Sequence, residues 1–233
     1  MMDLNYDFCI LITTYNRGNM LYDLINQIER QTGNQKVLII VFDDGSHQNY
    51  NLDKPNIKYI KFFPNQGKKK YWKIINTIFG YVRNINSKYF IQIPDDVQLI
   101  DNFLNTAANN YEKIPDPNKI CLSILTDGRV YRHNWTSFDS IDMGDHIKTQ
   151  WNDLCYISTK EFFSQLDFKI DEIPMSRWNH DPNLSSGVGQ QISTKLHNKN
   201  KSMYHTKTSL VIHGDHESKM NFEERKNKPI ITI

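Results

Sequence analysis

Apolar residues recur along the first hundred positions with two alternating periods. Short unbroken runs, Phe8 to Thr13 in FCILIT and Val37 to Phe42 in VLIIVF, have the length and composition of strands buried on both faces. Between them, YNRGNMLYDLINQIERQTG places Leu21, Leu24, Ile25 and Ile28 at helical spacing and stops at Gly33. The strand signal returns in NIKYIKFF, which runs to Pro64. The helical signal returns in GKKKYWKIINTIFGYVRNI, where Trp72, Ile75, Ile78, Phe79 and Val82 are expected to face inward. KYFIQI then forms a fourth strand and delivers the chain to Asp95 and Asp96. Strands separated by helices or crossovers predict an α/β fold, with a mostly parallel central sheet flanked by helices on both faces.

The second half alternates less regularly. NKICLSILTDGR opens as a further strand, KTQWNDLCYIS reads as a sixth, and TKEFFSQL as a short helix opened by Thr159. SSGVGQQISTKLHN reads as a helix with Val188, Ile192 and Leu196 on one face, and SMYHTKTSLVIHGDHES as a final strand ending in a polar cluster. VYRHNWTSFDSIDMGDHIK and IPMSRWNHDPNLSSG are expected to be surface loops. Trp135, Trp151 and Trp178 are of interest as flat stacking surfaces, although Trp is also good core filling, above all Trp151 inside its predicted strand.

Composition narrows the setting. The 233 residues are 39% hydrophobic with a formal charge of +2, enough for one substantial core and without the basic tail of an extended nucleic-acid footprint. Cys9, Cys121 and Cys155 are widely spaced, form no CxxC and follow no secretory signal. They read as small buried apolar residues in a reducing compartment. No apolar run reaches the roughly 18 residues of a spanning helix, so a soluble, cytoplasmic protein is expected.

Parallel sheets bind ligands beyond the carboxyl ends of their strands. TTYNR follows the first strand, DDGS the second, PNQGK the third and PDDV the fourth. Each alone is ordinary cap and turn chemistry; together they load one rim with polar groups. Adjacent carboxylates such as Asp95 and Asp96 repel, and become tolerable when solvated, hydrogen-bonded or neutralised by a cation.

ILITTYNRGNMLYDLINQIERQT, IIVFDDGS, NQGKKKYWKIIN and YFIQIPDDV resemble, in order, spacing and character, the nucleotide-sugar half of the GT-A glycosyltransferases, in particular glycosyltransferase family 2. The match covers roughly residues 8–105 and fades afterwards. It implies a single GT-A domain, with residues 1–110 as the nucleotide-sugar half and 111–233 as the acceptor half. It implies that Asp44 accepts from the uracil N3–H, that Thr13 and Tyr15 lie where base and ribose pack, and that Asp43 supports the turn. Asp95 would approach the ribose and Asp96 would ligate Mn2+ or Mg2+, although Pro94 stands where many members have the first aspartate of a DxD-like motif. Arg17 and Lys68, the first of three lysines, compete to screen the diphosphate.

His213, with His216 as alternate, would complete the ion's coordination, since neutral imidazole is an acceptable ligand beside carboxylates. A histidine at a strand end is also commonly a hydrogen-bonded structural residue. Inverting members usually carry an acid at the start of the helix after the acceptor loops, where SSGVGQQIS has none. The nearest acids are Asp181 in WNHDPN and, in reserve, Asp153 in WNDL; Asp181 before Pro182 also fits a plain turn. The resemblance thus implies a metal-dependent glycosyltransferase that moves a sugar from a UDP-sugar to a hydroxyl of a glycan-type acceptor with inversion. Two rivals remain. A sugar nucleotidyltransferase would carry a Gly-rich basic loop where TTYNRGN stands, and a GT-A-like glycan- or nucleotide-binding module would lack turnover.

Overall fold

A computed structural model of the chain describes residues 5–128, 140–152 and 154–213. β1 (Asn5–Thr14), α1 (Gly18–Thr32), β2 (Val37–Asp43), β3 (Ile57–Lys61), α2 (Tyr71–Arg83) and β4 (Asn86–Pro94) follow one another as the apolar periods predict. β1 lies between two parallel partners, with Thr14 opposite Asp43 of β2 and Thr13 opposite Pro94 of β4. This double register ends three strands at one level and brings the loops that follow them to one rim. β3 pairs in parallel with the outer side of β2.

Side-chain alternation along β1 builds two cores. Phe8, Ile10 and Ile12 join Leu21, Leu24, Ile25 and Ile28 of α1, while Cys9 and Leu11 join Ile74, Ile75, Ile78 and Phe79 of α2 on the other face. Both faces are covered, which is why all seven residues of β2 are buried and apolar pattern alone identifies the strand. α2 follows a 3-10 turn at Lys68–Lys70, and its buried stripe is Tyr71, Ile74, Ile75, Ile78, Phe79 and Val82. Trp72, expected inside, is half-buried on the flank of that stripe.

The chain continues through β5 (Val97–Leu99), α3 (Phe103–Glu112), β6 (Lys119–Ser123), β7 (Ile141–Asp142), β8 (His146–Thr149), β9 (Tyr156–Ser158), α4 (Lys160–Gln165), α5 (Val188–Asn198), β10 (Ser202–Thr206) and β11 (Val211–His213). The main sheet has the order β3-β2-β1-β4-β9-β6-β10-β8-β7. Among the described residues only β8 and β9 run against its common direction. The molecule is therefore an α/β fold with a mostly parallel sheet flanked by helices.

Two segments expected to be single strands are each two. KTQWNDLCYIS breaks after Thr149 and resumes at Tyr156, because Asn152 turns the chain: its Oδ1 accepts the amide of Leu154 at 2.8 Å, and its own amide donates to Ser193 Oγ at 3.0 Å. Trp151 consequently lies outside any strand, half-buried. SMYHTKTSLVIHGDHES gives β10 in the main sheet and then β11, which leaves to pair antiparallel with β5 in a separate ribbon. The first predicted loop contains β7 and β8, and its Trp135 falls outside the described residues; the second contains a 3-10 turn at Met175–Trp178. Thr159 stands before α4 but makes no side-chain cap hydrogen bond. All three cysteines are buried, and burial pushes the Cys9 and Cys121 thiols up, as befits packing residues. No helix among the described residues is long and apolar enough to cross a membrane.

Asp116, between α3 and β6, ties the outer strands together. It accepts the Tyr204 hydroxyl of β10 at 2.6 Å, the Asn118 amide at 2.8 Å and the Lys148 ammonium of β8 at 3.3 Å. Partial burial opposes the charge, but these donors outweigh it and hold the carboxyl well below the usual carboxylate range. A carboxyl so depressed in the folded state stabilises above its unfolded pKa of about 3.9, and the effect is lost as pH falls towards the folded value. Asp116→Ala should therefore cost roughly 1.5–3 kcal/mol at pH 7. The gap to wild type should narrow at pH 3, and urea unfolding at the two pH values measures both effects.

Candidate functional site

Asp95 and Asp96 form the turn between β4 and β5 and are only 3% and 9% exposed. A single guanidinium nitrogen of Arg17, from the loop after β1, lies between them. It donates to Asp95 Oδ1 at 3.2 Å and to Asp96 Oδ2. Thr14, at the end of β1, donates its hydroxyl to Asp95 Oδ2 at 2.6 Å. His213 Nε2 lies 3.3 Å from Asp96 Oδ2. The ribbon explains that approach: β11 pairs with β5 so that His213 stands opposite Val97, the residue next to Asp96.

The two carboxyls are driven apart electrostatically. Burial pushes Asp95 up to about 6, against the pull of Thr14 and Arg17. Burial also pushes Asp96 upward, but the hydrogen bond with His213 and the charge of Arg17 outweigh it and hold the carboxyl below its ordinary value. Burial would lower the Arg17 pKa, yet Asp96 and Asp95 together raise it. Asp96 is thus the firmer anion of the pair. Its Oδ1 is buried and has no hydrogen-bond partner among the described residues.

The second aspartate pair builds the neighbouring wall. Asp43 Oδ1 accepts the amide of Ser46 at 2.9 Å and its hydroxyl at 2.6 Å, and Oδ2 accepts the Tyr59 hydroxyl at 2.5 Å. Ser46 Oγ also accepts the Tyr50 hydroxyl at 2.9 Å and the Asn16 amide at 2.8 Å, while Tyr50 Oη accepts the Arg17 amide at 3.2 Å. The backbone that carries Arg17 is therefore pinned to the turn after β2. Asp44 spans the other way, accepting the amides of Gln66 at 2.6 Å and Gly67 at 2.8 Å from the loop before α2. Burial raises its pKa and those two amides oppose the rise. Each carboxylate oxygen keeps a further lone pair for a ligand. Gly45 permits this contact: its φ is +79°, and a Cβ there would lie 3.1 Å from the backbone of Asn65 and from the Phe62 carbonyl.

Thr13 and Tyr15 are half-buried on the same rim, and the Tyr71 hydroxyl reaches Thr13 Oγ1 at 3.5 Å. Lys68 Nζ donates to the Pro182 carbonyl at 2.9 Å, tying the loop before α2 to the segment that carries Asp181. Asp181 itself is exposed, and its Oδ1 accepts the Asn183 amide at 2.8 Å in an Asx turn. Asp153 and His216 lie outside the described residues. Trp178, expected as a stacking surface, is only 4% exposed and donates its indole N–H to the Leu184 carbonyl at 3.1 Å; the loop folds over it and makes it a packing residue. Sequence reasoning missed Thr14, Tyr50 and Gln66. Thr14 and Gln66 lay unremarked within the rim segments TTYNR and PNQGK, whereas Tyr50 gave no local signal.

Among the described residues, no group of three or more His, Cys, Asp or Glu side chains is arranged to hold a metal ion by itself. Asp96, with a buried and partnerless Oδ1 and with His213 Nε2 3.3 Å from its Oδ2, nonetheless offers with that imidazole a carboxylate and nitrogen donor pair of the kind that binds a divalent ion. The residues fit an ion held partly by protein and partly by ligand oxygens.

No family model and no curated protein sequence matches the chain. Solved structures do. Residues 1–349 of TarS from S. aureus superpose with a TM-score of 0.56 at 16% identity, over 88% of this chain and 59% of that one. The same protein in complex with UDP-GlcNAc gives a TM-score of 0.57 at 16% identity, over 91% and 60%. The mannosyltransferase PcManGT from Pyrobaculum calidifontis, in complex with GDP-Man and Mn2+, gives 0.50 at 13% identity, over 85% and 54%. The chain thus spans somewhat more than half the length of these structures. At such identities the likeness concerns architecture, and the architecture is the GT-A glycosyltransferase fold.

Proposed function

We propose that the chain is a glycosyltransferase that takes a nucleoside diphosphate sugar, foremost a UDP-sugar, and moves the sugar to a hydroxyl of a carbohydrate-type acceptor. The observation that carries this reading is the buried Asp95 and Asp96 pair at the carboxyl end of β4, with His213 brought to Asp96. The fold is shared with proteins solved with UDP-GlcNAc and with GDP-Man and Mn2+, which supports the same donor class.

Asp96 and His213 would hold the divalent ion, and their mixed oxygen and nitrogen donors favour Mn2+ over Mg2+, which prefers an all-oxygen shell. Held there, such an ion would supply Lewis-acid charge to the diphosphate and its leaving group. The remaining work falls to the chain's own groups. Asp44 accepts from the base N3–H, Thr13 and Tyr15 pack base and ribose, and Asp95 accepts from a ribose hydroxyl. Lys68 and Arg17 supply positive charge towards the diphosphate. The acceptor oxygen attacks the anomeric carbon opposite the diphosphate, the bond from that carbon to the diphosphate oxygen breaks, and the acceptor proton passes to a carboxylate. We assign that task to Asp181, with Asp153 in reserve; the hydrogen bond from Lys68 to the Pro182 carbonyl, which joins the Asp181 loop to the donor side, supports the assignment.

The Asx turn that occupies Asp181 is the observation favouring a second reading, a binding module without turnover. Nucleotide release from UDP-, GDP- and dTDP-sugars, with and without Mn2+ and a carbohydrate acceptor, decides between the readings. Acceptor-dependent release of a nucleoside diphosphate is expected. Nucleotide binding without release would leave the module, and pyrophosphate release from a nucleoside triphosphate and a sugar phosphate would make the chain a nucleotidyltransferase.

Three variants test the assignments. Asp96→Asn should lose the Mn2+-dependent gain in UDP affinity seen by calorimetry; because Asp96 is a buried partner of Arg17, urea unfolding of the same variant must be measured beside it. An undiminished gain would remove Asp96 from the ion. Asp44→Ala should weaken uridine nucleotides by about 1.5–3 kcal/mol, the range for a hydrogen bond to a charged group. Because Asp44 also holds the amides of Gln66 and Gly67, unfolding of the same variant must be measured beside it. Asp181→Asn should retain donor affinity and lower transfer at least about a hundredfold; near-normal turnover would move the base elsewhere.

A further inference from the structure

Arg17 stands where a divalent ion would have to act. One of its nitrogens bonds both Asp95 and Asp96, and on Asp96 it takes Oδ2, the same oxygen that His213 approaches. Two adjacent carboxylates this deeply buried require a counter-charge, since taking an anion out of water is costly unless it is paired. In this structure the counter-charge is internal. Of the four oxygens of the two carboxyls, Asp96 Oδ1 is the one left without a hydrogen-bond partner among the described residues.

The backbone of Arg17 cannot readily follow its side chain. Its amide donates to Tyr50 Oη at 3.2 Å, the amide of Asn16 donates to Ser46 Oγ at 2.8 Å, and its carbonyl accepts the Leu21 amide at 3.0 Å at the start of α1. Any exchange of partners by the guanidinium is therefore a rotamer change on a fixed base. A diphosphate suits such an exchange. Its oxygens match the planar guanidinium fork as well as carboxylates do.

We propose that Arg17 is an exchangeable internal counter-ion: it competes with the divalent cation for Asp96, and it yields the aspartates only when a nucleoside diphosphate offers its guanidinium another anion. This deepens the glycosyltransferase reading and rests on it. Arg17 then makes ion and nucleotide binding mutually dependent. The cation alone meets carboxylates already paired with Arg17. With nucleotide present, Arg17 moves from carboxylate to phosphate, and the affinity of each ligand rises by the same factor in the presence of the other.

The test uses the full chain and the variant Arg17→Met, which keeps much of the side chain's length and removes its charge. Mn2+ binding is measured by calorimetry and by electron paramagnetic resonance, without nucleotide and then with saturating UDP. The wild type should bind Mn2+ weakly alone and at least about tenfold more tightly with UDP, a usual size for coupling between two sites. Arg17→Met should bind Mn2+ alone at least about tenfold more tightly than the wild type, and its coupling to UDP should fall by the same factor, leaving only the part that comes from the ion's own contact with the diphosphate. The metal-free variant should also melt below the wild type and be raised more by Mn2+, a readout independent of turnover. Should Arg17→Met fail to fold, Arg17→Gln keeps an N–H donor for the carboxylates without the charge and should shift in the same direction. Cooperative binding in the wild type, with Mn2+ affinity unchanged or weaker in the folded variant, overturns the counter-ion role and leaves the donor site standing. A wild type that binds neither Mn2+ nor UDP, singly or together, overturns the glycosyltransferase reading and this inference with it.

Discussion

Two carboxylates must sit side by side beneath the rim at the end of β4, and one guanidinium nitrogen makes that tolerable. Everything around the pair is arranged to keep Arg17 there. β1 runs between β2 and β4 in a register that ends all three strands together, so the loop after β1 begins beside Asp95 and Asp96. Thr14 takes one oxygen of Asp95 before that loop begins, and Tyr50 with Ser46 holds the loop's amides after it. If the β1 register shifted by one residue, the alternating side chains would exchange faces and both cores would be lost along with the site.

The two aspartate pairs solve the same problem differently. At Asp43 and Asp44 the counterparts are neutral donors, hydroxyls and backbone amides, and the carboxylates become joints between loops. At Asp95 and Asp96 the counterparts include a full positive charge, shared between the two carboxyls through one nitrogen of Arg17. Adjacent acids in a sequence therefore do not announce their task. The charge of the neighbours they meet after folding decides it.

That distinction marks the limit of what the sequence made legible. The strands β1, β2 and β4 and the inner faces of α1 and α5 could be read from periodicity because covered sheets demand apolar residues at every strand position and packed helices at every turn. The rim could be read as well, since polar residues cluster where those strands end. Features that depend on distant partners could not. Asn152 breaks a strand by turning the chain onto Ser193, Trp178 is buried by a carbonyl of its own loop, and Tyr50 reaches the site only because β2 and α1 fold against one another. β5 is three residues long, too short to carry a period. α3 buries only Phe103, Leu104, Ala107 and Tyr111 among polar neighbours.

The small ribbon of β5 and β11 has a bearing on how the protein is made. β5 directly follows Asp96, whereas β11 comes after every other strand and helix of the described fold, and it is β11 that carries His213 to Asp96. Chains are synthesised from the amino terminus and bury what they can as they emerge. A nascent chain released only as far as α5 already holds the parallel group with its aspartates and Arg17, but its imidazole is still inside the ribosome. The contact between His213 and Asp96 is thus the last to form, and a chain cut short before β11 lacks it.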